Sequence, residues 1–148
     1  MFQYVLALLF TADRRQIVLM EKTRPAWQAG RVNALGGKVR AGEGAADAAR
    51  REVREEAGVD VIAWEPVLAW HDPQYTMHVV RAFDDAALRA HTAEDQRVFR
   101  APVNEMPPSV IDNLRWLVPL ALDREVAVPI DVRSASPTGS GLTEPPPA

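Results

Sequence analysis

Cysteine is absent from the 148 residues, which excludes disulfides, thiolate metal sites and cysteine nucleophiles together. The fold must be held by packing alone. Long apolar runs are missing too. Val5 to Phe10 is too short to cross a bilayer, and it follows Gln3 and Tyr4 directly, without the basic start of a secretory leader. A cytoplasmic location with no membrane partner is expected. Neither sign of charge dominates: 17 Lys and Arg stand against 20 Asp and Glu, a formal net charge of −3, so nothing draws the whole chain to duplex nucleic acid. Histidines are few, and His71, His78 and His91 have no metal-ligand spacing. What is present, 47% hydrophobic and 25% charged residues, is ordinary for one folded domain, expected as a monomer or homodimer.

That domain is expected over residues 1–130. Phe2 to Thr11 and Gln16 to Met20 flank a polar turn and read as a β-hairpin. Glu21 to Arg40 has no helical period and is punctuated by Pro25, Gly30, Gly36 and Gly37, so it reads as a long connection of the kind that carries function. Glu43 to Ala57 is the clearest helix, with Ala46, Ala49, Val53 and Ala57 as its apolar stripe and Gly58 at the C-cap position. Two strands, Val61 to His71 and Tyr75 to Phe83, meet at a turn at Asp72 and Pro73. A short helix from Asp84 to His91, an edge strand from Arg97 to Val103 and a terminal helix from Val110 to Leu122 follow, with Pro119 sitting in or bending the last. Residues 131–148 turn to Ser, Thr, Gly and Pro and are expected to be a disordered tail.

On the central helix Glu52, Glu55 and Glu56 stand at i, i+3 and i+4, so the three carboxylates share a face. That face lies roughly a quarter turn from the apolar stripe. Like charges so placed repel, where alternation with Lys would gain about 0.2–0.5 kcal/mol per pair. Most acidic faces are merely solvated. Hard oxygen ligands on a rigid element also suit Mg²⁺ or Mn²⁺ bridging to a phosphate. Arg51, four residues before Glu55, is placed to steady that carboxylate. Gly36 and Gly37 allow close backbone approach, and Gly42 a turn that brings Glu43 to the helix start.

The joint spacing decides between the two readings. Gly37, Glu43, Arg51, Glu52, Val53, Glu55, Glu56, Gly58 and Val59 match every specified position of the Nudix box, and the chain resembles the Nudix hydrolase family. The resemblance implies an α/β class fold, an α/β/α sandwich with a mixed central sheet, and metal-assisted attack of water on a nucleoside diphosphate derivative. It implies Glu55 and Glu56 as main metal ligands, the carbonyl of Gly36 or Gly37 as a further ligand, Glu52 as ligand or general base, and Glu43 among the metal-site residues. Arg51 joins the catalytic set as an orienting group. A distal acid, Glu94 or Asp95, is implied by position.

Gly30 to Val39, GRVNALGGKV, is similar to the MutT-type nucleoside triphosphate enzymes, including those that clear oxidised purines such as 8-oxo-dGTP. The similarity implies that Asn33 contacts the base, with Val32 standing where some relatives have Trp. It also implies that Asp112 or Asn113 reads the base edge; a helix N-cap accounts for them equally. Lys22 and Lys38 are favoured for the phosphates over Arg24 and Arg31. Trp27 either stacks on a base or covers the core edge. Alternatives within the resemblance are ADP-ribose, dinucleoside polyphosphate or capped RNA as substrate, or a sensing module without turnover. Pro73 and Tyr75 lie near positions that mark the first two.

Overall fold

In the computed structural model, which describes residues 1–135, the strands run β1 (Phe2–Phe10), β2 (Gln16–Glu21), β3 (Val32–Asn33), β4 (Leu35–Lys38), β5 (Glu65–His71), β6 (Tyr75–Phe83), β7 (Val98–Pro102) and β8 (Ile130–Arg133). Helix α1 (Ala45–Ala57) follows β4, and α2 (Leu114–Leu122) lies between β7 and β8. The sheet order is β3-β2-β1-β6-β5-β8, with β4 also on β1 and β7 on β2. It is a mixed sheet. β1 pairs in parallel with β6 along its whole length and antiparallel with β2 and β4.

The apolar run Val5 to Phe10 is the middle of this sheet, buried on both faces. Val5, Ala7 and Leu9 point to the layer of α1, where Ala49 and Val53 pack. Leu6, Leu8 and Phe10 point to the layer of α2, with Leu114, Leu117 and Val118. Period-two alternation along one strand therefore generates both cores of the α/β/α sandwich. β1 meets β2 at Phe10 and Ile17, while from Ala7 back to Tyr4 its partner is β4, which sets Gly36 and Gly37 beside α1.

Several expectations need amendment. The connection from 21 to 40 contains β3 and β4, whose few residues are too short and glycine-rich to show a strand period. In α1 Ala48 is buried and Ala46 exposed, so the packing face is rotated from the expected stripe and takes in Glu56. Gly58 caps the helix in the left-handed conformation, φ 68°, as its position foretold. Val61 to Trp64 precede the strand rather than belong to it. The expected short helix is a 3-10 turn, Asp85–Arg89, and Pro119 sits inside α2. The tail expected from residue 131 begins too early. Ile130 to Arg133 form β8, parallel to β5, and Trp70 Nε1 donates to Ser134 Oγ at 2.9 Å. Residues 136–148 of that expected tail lie outside the described residues.

Candidate active site

One cleft of about 700 Å³ opens where β1, β4, the 22–31 loop, α1 and the start of α2 converge. Its walls include Glu52, Glu55 and Glu56 from α1, Gly36 and Gly37 from β4, and Lys22, Arg24 and Lys38 as cations. Trp27, Gln28 and Asn33 come from the 22–33 stretch, Trp70 from β5, Tyr75 and Met77 from β6, and Asp112, Asn113 and Trp116 from the α2 end. Acids, cations and aromatic rings share a single concavity.

The acid face is organised by Arg51, whose side chain is only 16% exposed. Its Nε and Nη2 donate to the two oxygens of Glu43 at 2.7 and 2.8 Å, Nη1 to Glu52 at 2.9 Å and Glu55 at 3.4 Å, and Nη2 to the Lys38 carbonyl at 2.9 Å. Glu43 also accepts the Arg40 N–H at 2.9 Å. The Arg51 guanidinium holds the Glu43 carboxyl down at about 2. With both oxygens engaged and no place in the cleft wall, Glu43 anchors Arg51. Arg51 reaches Glu55, four residues on, as its spacing suggested.

Glu56 is buried and accepts the Gly36 N–H at 3.0 Å. Burial pushes its carboxyl up to about 8, with the Glu52 and Glu94 charges adding to the rise. Burial also raises Glu52, against the pull of Arg51. A Cβ on Gly37 would come within 2.6 Å of Glu52 Oε1, so a side chain there would fill the space beside the carboxylate. Three carboxylates on one helix face, two of them with their charged form disfavoured by burial, are hard oxygen donors that suit a divalent cation. Among the described residues no three His, Cys, Asp or Glu side chains are already gathered about one point. Arg51 Nη1 bonds both Glu52 and Glu55, while Glu56 accepts from the Gly36 N–H.

Of the two distal acids, Glu94 lines the cleft, while Asp95 is bound by Arg24 at 2.6 Å. Lys22 is half-buried, and burial pushes its ammonium down while Glu56 draws it back up. Lys38 lines the cleft with its Nζ 5.0 Å from the Phe2 ring centre. Asp112 pairs with Arg31 at 3.0 Å. Asn113 is the N-cap of α2 by position, its carbonyl accepting the Leu117 N–H at 3.0 Å, but its side chain makes no capping bond. His78 bonds to Gln3 at 2.7 Å and His71 to Asp131 at 2.8 Å, both away from the acids.

Gln28, Trp70 and Trp116 were not singled out in the sequence. The two tryptophan rings lie 5.6 Å apart and form an aromatic wall. They are far apart in sequence and meet between β5 and α2, so no local spacing announces them. Tyr4 and Tyr75 form a second wall, edge to face at 6.1 Å.

A partly buried carboxylate face on a helix, a glycine pair against it and a mixed sheet between two helical layers together define a class. The chain belongs to the NUDIX domain family, whose model matches residues 1–133, and it is a Nudix hydrolase. Solved structures with the same fold include MutT described from Aliivibrio salmonicida and Vibrio cholerae, 23% identical, covering 81% of this chain and 96% of that one at a TM-score of 0.64. A MutT Nudix hydrolase of Burkholderia pseudomallei is 18% identical, covering 80% and 96%, TM-score 0.67. A Nudix hydrolase of Nitrosomonas europaea is 16% identical, covering 90% and 79%, TM-score 0.69. A comparison with curated protein sequences finds no significant match. Nudix hydrolases act on small nucleotide substrates with divalent cations. Among the described residues no helix is long and apolar enough to cross a membrane.

Proposed function

We propose that this Nudix hydrolase is a Mg²⁺- or Mn²⁺-dependent pyrophosphohydrolase of nucleoside triphosphates, oxidised purine nucleotides such as 8-oxo-dGTP among them, working in the cytoplasm. The observation that carries this reading is a single cleft combining a carboxylate face, cations and an aromatic, amide-bearing wall. Glu55 and Glu56 with a backbone carbonyl of the glycine pair would hold the ion, leaving Glu52 free as the base, and Glu94 is the distal acid. Bound there, the ion would offset phosphate charge and make a water more acidic.

The chain's own groups do the rest. Lys22, Arg24 and Lys38 bind phosphate oxygens, and Trp27 or the Trp70–Trp116 wall stacks on the base. Glu52, raised by burial, takes a proton from the attacking water. The water oxygen bonds to phosphorus, a bridging P–O bond breaks, and nucleoside monophosphate and pyrophosphate leave. Attack at the α- or the β-phosphorus gives the same products. The second aromatic pair, Tyr4 and Tyr75, favours a dinucleoside polyphosphate as the other reading, since it offers a place for a second ring.

A panel of the common and oxidised deoxynucleoside triphosphates, ADP-ribose and dinucleoside polyphosphates, incubated with Mg²⁺ and resolved by chromatography, tests this. Monophosphate and pyrophosphate from triphosphates are expected. Turnover confined to ADP-ribose or dinucleoside polyphosphates would displace the reading.

A further inference from the structure

Among the described residues three buried side-chain polar atoms have no partner: Trp27 Nε1, Gln28 Nε2 and Asn113 Oδ1. All three belong to residues of the cleft wall. Gln28 is 0% exposed. A buried amide donor without an acceptor is costly, and such atoms are seldom left idle.

The orientation of Gln28 follows from its neighbours. Asn33 Oδ1 accepts the Ala34 N–H at 2.8 Å, which fixes the Asn33 amide. Asn33 Nδ2 therefore donates, and it donates to Gln28 Oε1 at 3.1 Å. The remaining Gln28 group is the NH₂. Its backbone is equally settled, with its N–H donating to the Pro25 carbonyl at 2.9 Å and its carbonyl accepting from Arg31 at 2.9 Å. Both oxygens of the Asn33–Gln28 pair are occupied, so what the pair offers the cleft is donors.

Resting on the nucleotide reading above, we infer that Gln28 is the base-specificity residue of this cleft, its NH₂ donating to a ring carbonyl, so that 6-keto purines are taken in preference to 6-amino purines. Asn33 acts through Gln28 as a positioning residue. An amino group at C6 would bring donor against donor. The free acceptor, Asn113 Oδ1, complements the ring N–H that accompanies a 6-keto group and that a 6-amino purine lacks. The Trp27 N–H is a second donor, suited to a ring nitrogen that both purines carry.

The test is equilibrium binding of dIMP and dAMP, which differ in the C6 group and the N1 proton that goes with it, read by isothermal titration. Monophosphates need no turnover, so the result stands apart from hydrolysis. Wild-type protein should bind dIMP at least about tenfold more tightly than dAMP. Gln28→Met keeps the side-chain length without a hydrogen bond and should bring the ratio below about threefold. Asn33→Asp supplies only oxygens, so the Gln28 amide turns over to donate to it and presents Oε1 to the base. The preference should then move towards dAMP.

Equal binding of dIMP and dAMP by the wild type, the result if water satisfies Gln28, overturns the inference, as does a wild-type ratio retained in both variants. Triphosphate hydrolysis without keto preference removes this inference and leaves the proposed function. Keto preference without hydrolysis does the reverse, and absence of all nucleotide binding removes both.

Discussion

Arg51 shows how much a single side chain settles in this site. Four acceptors lie around it: Glu43, Glu52, Glu55 and the Lys38 carbonyl. Glu43 takes the bidentate share and so locks the guanidinium, which in turn positions two of the three acids on the α1 face. Glu56 is placed differently, by burial and by the Gly36 N–H. From this follows the behaviour of amide substitutions. Glu56→Gln keeps an oxygen for Gly36 and replaces a carboxyl that burial already holds largely neutral without metal, so the melting temperature without metal should not fall. Turnover should nevertheless drop by orders of magnitude, because an amide is a poor ligand for a hard cation. Glu52→Gln should cost about 10²–10⁴ in kcat if it takes the water's proton. Steady-state rates at saturating Mg²⁺, paired with thermal melts, check both; near wild-type turnover in these variants would contradict the assigned roles.

At the scale of elements, α1 serves two masters: one face packs on β1, and an adjoining one carries the acids. Its C-terminal end is fastened by Asp60, which accepts from Arg50 at 2.7 and 2.9 Å and from Arg54 at 3.0 Å. These guanidinium groups hold the Asp60 carboxyl well below its ordinary 3.8. A carboxyl lowered by folding stabilises the fold above its unfolded pKa, and that contribution is lost as pH falls below it. The melting-temperature gap between wild type and Asp60→Asn should therefore be greatest near neutrality and close below about pH 4. A gap that widens in acid would show that Asp60 acts otherwise.

β8 makes a second case. Ile130 and Val132 are half-buried against the α2-side core, and the strand's end anchors Trp70 of the cleft through Ser134. Ending the chain at Pro129 should cost about 2 kcal/mol of apolar burial and lower the melting temperature by about 5 °C. The tryptophan emission should shift to the red as Trp70 loses its cover. An unchanged melt and spectrum would mean the strand contributes nothing.

For the whole molecule, the sequence disclosed chemistry better than surroundings. The carboxylate face and the role of Arg51 were legible because i, i+3, i+4 spacing on one helix is a local property. The central strand was legible from its apolar run. Which partner the Glu43 oxygens meet is not legible from a motif position; that partner, Arg51, comes eight residues later in the second turn of α1. β8 was missed because Ile-Asp-Val-Arg is a four-residue alternation at the edge of a polar stretch. Gln28 carried no signal at all, since its side chain is oriented by Asn33, which Ala34 orients in turn. The Tyr4–Tyr75 wall likewise depends on register between β1 and β6, and the Trp70–Trp116 wall on where α2 lies against β5.

The central claim is that the acid face and the cleft form one metal-dependent phosphate-cleaving site. Pyrophosphate release from a nucleoside triphosphate, followed as Mg²⁺ is titrated into metal-free protein and then withdrawn with EDTA, tests it most directly, with Glu56→Gln run alongside. Release should be negligible without metal, rise to saturation with Mg²⁺, vanish on chelation, and remain orders of magnitude lower in the variant. Release indifferent to chelation, equal in wild type and variant, or absent at saturating Mg²⁺ would contradict the account.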